Sequence, residues 1–174
     1  MAGSLIKIDE EIVSSAVASV TLGGSNWDSS YDVYVVRINN VAPETDVQKL
    51  EIRFTVSGTP DTSSNYDKAQ QIISADGAFN EQGSTNQSSL DALDQGGTAT
   101  QETLQGIHYL FNFNDASEYS FITYEGAARS SAGILNARQG GGVLTVAQAC
   151  DGIQYFFASG NIASGTFTLY GLKK

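Results

Sequence analysis

The chain is poor in the residues from which active sites are commonly built. It has one cysteine, Cys150, and one histidine, His108. A single cysteine excludes an intrachain disulfide, and one of each leaves zinc without the several nitrogen and sulfur ligands it requires. A Ser-His-Asp or Cys-His arrangement would have to use His108, yet there is no G-x-S-x-G elbow, and Cys150 sits in AQACDGIQ without the signature of an activated thiol. His108 is therefore read as a structural or surface residue. Positive charge is also scarce: nine lysines and arginines stand against 19 aspartates and glutamates, a net charge of −10. That balance opposes phosphate backbones and anionic membrane surfaces, so neither nucleic acid nor membrane is an expected partner. No run approaches the roughly 18 apolar residues of a membrane helix. The start, MAGSLIKIDEEIV, lacks a basic segment followed by an apolar stretch, so no secretory signal is read there and folding in a cytoplasm is expected.

What the chain does have is apolar side chains at period two. In LEIRFTV, Leu50, Ile52, Phe54 and Val56 point one way, and Glu51, Arg53 and Thr55 the other. DVYVVRINNV sets Tyr34, Val36 and Ile38 against Val33 and Val35, a strand covered on both faces before Asn39-Asn40 and Ala42-Pro43 turn it. GIHYLFNF places Ile107, Tyr109, Phe111 and Phe113 together, and YSFITY, GVLTVA and IQYFF add three more short β-rich runs. The last strand puts Phe167 and Leu169 on one face and Thr166, Thr168 and Tyr170 on the other. With a segment near Ala16 to Leu22 the count reaches about eight, close to that of a jelly roll. The chain of 174 residues, with 18 glycines and two prolines, suits one domain over 1–174 with many turns. The predicted fold is all-β: an antiparallel β-sandwich, jelly-roll-like, with long polar loops. Its predicted core includes Val36, Ile38, Leu50, Ile52, Phe54, Phe111, Phe157, Phe167 and Leu169.

Helical periodicity is weak. TDVQKLE and DKAQQIISA each allow a turn or two of helix, and each equally allows strand. Residues 57–105 are rich in Ser, Thr, Asn, Gln and Gly and nearly devoid of aromatics, which reads as long loops at one end of the sandwich with room for one edge strand. The glycines 140–142 open a strand rather than join strand to helix, so they suit a bend or bulge and not a phosphate cradle. Acids are plentiful, but they fall in polar loops and on wet strand faces, where solvation accounts for them. Neither a carboxylate pair for glycoside cleavage nor a calcium loop is marked. No catalytic residue, cofactor or metal is expected. The side chains singled out for contact with a glycan or a partner are Trp27 and Tyr31, in the polar segment LGGSNWDSSYD; a lone Trp before a strand equally suits a plug over the end of a sandwich.

Three segments taken together carry a resemblance. WDSSYDVYVVRINNVAPETDVQKLEIRFTVSGTP, HYLFNF and the ending GILNARQGGGVLTVAQACDGIQYFFASGNIASGTFTLYGLKK resemble small virion proteins of tailed bacteriophages, many of them marine. The matching positions are Tyr31, Asp32, Tyr34, Pro43, Thr45 and Asp46 in the first part. In the last they are Ser159, Gly160, Asn161, Ile162, Gly165, Thr166, Leu169, Tyr170 and Gly171. The resemblance implies a jelly-roll module on the virion exterior, either a capsid decoration (cement) protein or a tail-fibre, tail-adapter or receptor-binding component touching host-surface glycans. It carries over no active-site residue, and no enzyme is implied. The implied partners are the major capsid protein or another virion protein. A symmetric homo-oligomer is expected, a trimer first, attached through side-chain surfaces and the polar segment 57–105.

Overall fold

In the computed structural model, which describes residues 4–173, the period-two segments become antiparallel strands. The N-terminal part supplies β1 (Ser4–Val13), β2 (Ser19–Gly23), β3 (Val33–Pro43), β4 (Gln48–Val56) and the short β5 (Thr59–Pro60). The polar middle supplies β6 (Tyr66–Ser74), β7 (Phe79–Gln87) and β8 (Leu90–Gly96). There follow β9 (Leu104–Phe111), β10 (Ser120–Arg129), β11 (Leu135–Leu144), β12 (Gly152–Phe157) and β13 (Ile162–Lys173). Among the described residues the helical content is one 3₁₀ turn at Gly24–Asn26.

Eight of these strands trace a jelly roll. One sheet runs β1-β13-β3-β9 and the facing one β2-β12-β4-β8, each pair of neighbours antiparallel. Two hairpins lengthen the first sheet beyond β9, giving the order β1-β13-β3-β9-β10-β11-β6-β7. The inner faces of the two sheets form one apolar cluster that includes Val36, Ile38, Leu50, Ile52, Phe54, Phe157, Phe167 and Leu169, as the alternation predicted.

Four expectations need correction. Asn39-Asn40 do not turn the chain: β3 runs through them to Pro43, with Asn40 at φ 53° where its pairing with β9 shifts register. Residues 57–105 are not mainly loop. β6 and β7 form a hairpin that lies past the smaller sheet, so β7 is almost wholly exposed and Ser, Thr, Asn and Gln suit both its faces. β8 is the edge strand of the smaller sheet, paired with β4 alone and packed against the larger sheet with Leu90, Ala92 and Leu93 buried. Phe111 is not in the core: it is half-buried on the outer face of the large sheet, while its neighbours His108 and Leu110 point inward and are fully buried. Phe113 does reach the core, because Asn112 adopts φ 61° and breaks the strand alternation. Finally, Gly140, Gly141 and Gly142 make no bend, since β11 pairs without interruption on both sides. Gly142 faces inward, where a Cβ would come within 2.5 Å of Leu90 Cδ1, and Gly106 and Gly126 likewise lie against Leu93. Bare backbone at these positions lets β8 press against the large sheet.

Candidate functional site

The two residues singled out from the sequence both pack against Tyr34. The Trp27 ring lies 4.0 Å from Tyr34 and 5.7 Å from Phe113, centroid to centroid. Its indole N–H donates to Asn114 Oδ1 at 2.8 Å. Asn114 Nδ2 in turn donates to the Tyr31 carbonyl and to the Tyr34 hydroxyl, both at 2.8 Å. Tyr34 donates its hydroxyl to the Asp28 carbonyl at 2.7 Å, and burial raises its pKa above the usual tyrosine value. Tyr31 lies edge-on to Tyr34 and covers Gly171, where a Cβ would collide with its ring. Hydrogen bonds from Ser30 hold the half-buried Asp28 below the usual carboxylate range. Trp27 and Tyr31 are both half-buried. Beside Tyr31 lies a shallow depression of about 490 Å³ lined by Ile6, Asp28, Ser30, Asp32, Leu172 and Lys173; Trp27 does not line it. Asn114, which links Trp27 to the Tyr31 carbonyl, lies more than 80 residues away and carries no local sequence signal for that role.

The titratable groups inside the molecule are arranged for structure. His108 is fully buried, with Nδ1 3.0 Å from the Tyr155 hydroxyl, and loss of solvation pushes its pKa down to about 3. It is a neutral ring throughout the physiological range. Cys150 is buried beside Ser120, and desolvation pushes its thiol up to about 11, far from the range of a nucleophilic thiolate.

A buried ionic cluster departs from the expectation that the acids lie in polar loops and on wet strand faces. Asp91 of β8 accepts from Lys49 of β4 at 3.2 Å, from Lys68 of β6, and from Arg138 of β11 at 3.3 Å. Arg138 also donates to the Asp91 carbonyl at 3.0 Å, and its side chain has no exposed surface. Desolvation, reinforced by the neighbouring charges of Lys49 and Arg138, lowers Lys68 to about 8. The cluster ties the two sheets through one carboxylate. The sequence signal for it was faint: Asp91 stands between Leu90 and Ala92 in a segment otherwise polar. Among the described residues, no three His, Cys, Asp or Glu side chains gather as a metal site would require.

No protein-family model and no curated protein matches the chain. Among solved structures, one that matches is a fructofuranosidase variant from Schwanniomyces occidentalis complexed with fructosylnystose, at 8% identity and a TM-score of 0.28. The alignment covers 98% of this chain, which spans only 34% of that enzyme chain. Similarity at this level carries no argument about function.

Proposed function

We propose that the chain is a structural protein of a tailed-bacteriophage virion, displayed on the outer surface of the head as a decoration protein, where it binds the major capsid protein. In this reading it catalyses nothing and needs no cofactor. One observation carries it: the residues behind the sequence resemblance, distant along the chain, interlock in space. Gly171 sits under Tyr31, Gly165 under Val41 and Gly160 under Thr45. Ile162 pairs with Pro43, and Glu44 N donates to the Asn161 carbonyl at 2.9 Å. The early YD-x-Y strand and the late SGNI-x-x-GT-x-x-LYG strand are thus neighbours, β3 and β13, whose glycines receive the side chains of the other half. These residues therefore belong to one structural unit of the scaffold.

The test is to separate heads from tails of disrupted particles and count copies. On the order of hundreds per particle, fractionating with heads, is the expected result for a protein repeated by capsid symmetry. A few dozen or fewer, fractionating with tails, overturns the head assignment and favours a tail adapter or fibre component. The depression beside Tyr31 is the feature that supports that second reading. In that case Tyr31→Ala should weaken binding to host-surface glycans without unfolding the protein.

A further inference from the structure

The jelly roll buries one face of its large sheet and leaves the other uncovered, and that outer face is unusually apolar. The strand registers arrange it in rows across the strands. The first row runs Val33, Phe111, Phe121, Val143, with Leu172 and Leu5 continuing it on β13 and β1. The second runs Tyr170, Val35, Tyr109, Thr123, Gly141. The third runs Thr168, Arg37, Ile107, Glu125, Gln139. Leu5, Leu172, Ile107, Tyr109 and Phe121 each expose between 38% and 50% of their surface. Scattered apolar residues are ordinary on a surface, but a contiguous sheet of them marks an interface.

We propose that this face pairs with the same face of a second copy, about a two-fold axis running along β9. Such an axis lays β3 of one copy over β10 of the other, and β13 over β11, with β9 on β9. The rows then match. Tyr170 falls over Gly141, a large side chain over a bare backbone, and Val33 meets Phe121. Arg37 meets Glu125, and within one copy neither is in an ion pair among the described residues; Arg37 has only a 3.4 Å hydrogen bond to Asn39. Phe111, Tyr109 and Ile107 lie at the axis and meet their own counterparts. At the rim, Lys7 and Glu10 neutralise each other at 3.1 Å, while Asp67, next to Val143 on β6, accepts from the Asn86 N–H at 2.8 Å. The centre of the face is thus free of the net negative charge that would keep two copies apart elsewhere. The five strands of the matched rows, about 4.8 Å apart, and the three rows, about 6.8 Å apart, span roughly 500 Å² per copy. That is roughly 1,000 Å² for the pair, the lower end of the range for a specific interface. Facing sheets pack in this aligned manner inside single sandwiches.

The pairing is independent of where on a particle the protein sits, and it replaces the three-fold symmetry expected from the sequence with a two-fold one. Sedimentation equilibrium of the purified chain should give twice its monomer mass. Tyr109→Cys should cross-link to itself through a bismaleimide of about 8 Å, because facing sheets about 10 Å apart hold the paired Cα atoms beyond the reach of a disulfide. Val33→Cys alone should not, but mixed with Phe121→Cys it should. Arg37→Glu should weaken the pair roughly tenfold, and Arg37→Glu with Glu125→Arg should restore it. A mass of one chain at concentrations of about 100 µM overturns the proposal, whatever the particle fractionation shows. So does a mass of three chains, or a dimer in which Tyr109→Cys fails to cross-link. An unchanged far-UV circular dichroism spectrum with cooperative unfolding in each variant excludes misfolding as the cause, since loss of the pair itself lowers the melting temperature.

Discussion

His108 makes the stability of this protein depend on pH in a way that can be worked out from its surroundings. The ring is fully buried with Nδ1 3.0 Å from the Tyr155 hydroxyl, and among the described residues Nε2 has no hydrogen-bond partner. Charging it would leave an imidazolium without solvent, so its pKa falls from 6.5 to about 3 on folding. Above 6.5 both folded and unfolded chains are neutral at this site, and His108 contributes no pH dependence. Between 6.5 and about 3 only the unfolded chain takes the proton, so stability is lost as pH falls, by up to about 1.4 kcal/mol per unit. From about pH 7.5 to about pH 5 the loss integrates to about 2 kcal/mol. The comparison that isolates it is His108→Leu with Tyr155→Phe, which removes both hydrogen-bonding groups together and so leaves no orphaned hydroxyl. Urea unfolding at both pH values measures the change for each protein, and the contributions of other groups cancel in the difference. The wild type should lose about 2 kcal/mol more than the double variant. Equal losses would mean that His108 is solvated or already charged, and the reasoning would fail.

Phe54, which has no exposed surface and lies 4.7 Å from Phe113 and 5.6 Å from Tyr66, should cost about 3–5 kcal/mol on replacement by alanine, and a loss below about 1 in chemical denaturation would contradict its place in the core. Asp91→Asn should destabilise by about 3–5 kcal/mol, because Lys49, Lys68 and Arg138 lose the carboxylate they share; adding Lys68→Met should recover part of that loss, and no recovery would deny the coupling. Cys150, with its thiol pushed up to about 11, should resist thiol reagents at about pH 8 until denaturant is added, so rapid labelling of the native protein would disprove its burial. Excision of residues 84–100 removes β8 with Leu90 and Leu93, and cooperative unfolding should disappear; a folded product would show that β8 is dispensable.

Period-two alternation was enough to read the strands whose faces differ sharply. LEIRFTV and the final strand have one apolar and one polar side, and their core residues fall where the pattern puts them. The same reasoning failed for residues 57–105. A strand announces itself only where one face is buried, and β7 lies beyond the smaller sheet, so its polar residues carry no alternation to detect. β8 was hidden for a different reason. Its burial depends on glycines of other strands, Gly106, Gly126 and Gly142, whose missing side chains make room for Leu90 and Leu93. Nothing local to LDALDQG records that space. The Asp91 cluster is invisible on the same grounds, since its partners come from three further strands.

The misreading of GIHYLFNF points to more than a lost register. Both faces of β9 are apolar enough to be core, and size alone favoured Ile107, Tyr109 and Phe111 over His108 and Leu110. The structure chooses the other face because a neutral imidazole can be buried where a tyrosine hydroxyl meets it, and Tyr155 is there to do so. That leaves Ile107 and Tyr109 exposed and Phe111 half-buried on the surface, where folding of one chain has no need of them. Strands covered on one side ordinarily alternate apolar with polar residues, and β9 departs from that rule together with its neighbours β3 and β10, at Val33, Val35 and Phe121. Near the Val33, Phe111 and Phe121 row the sheet is apolar on both faces, the pattern of a sheet covered twice. The first cover is the facing sheet of its own chain, and the two-fold pairing proposed above would supply the second.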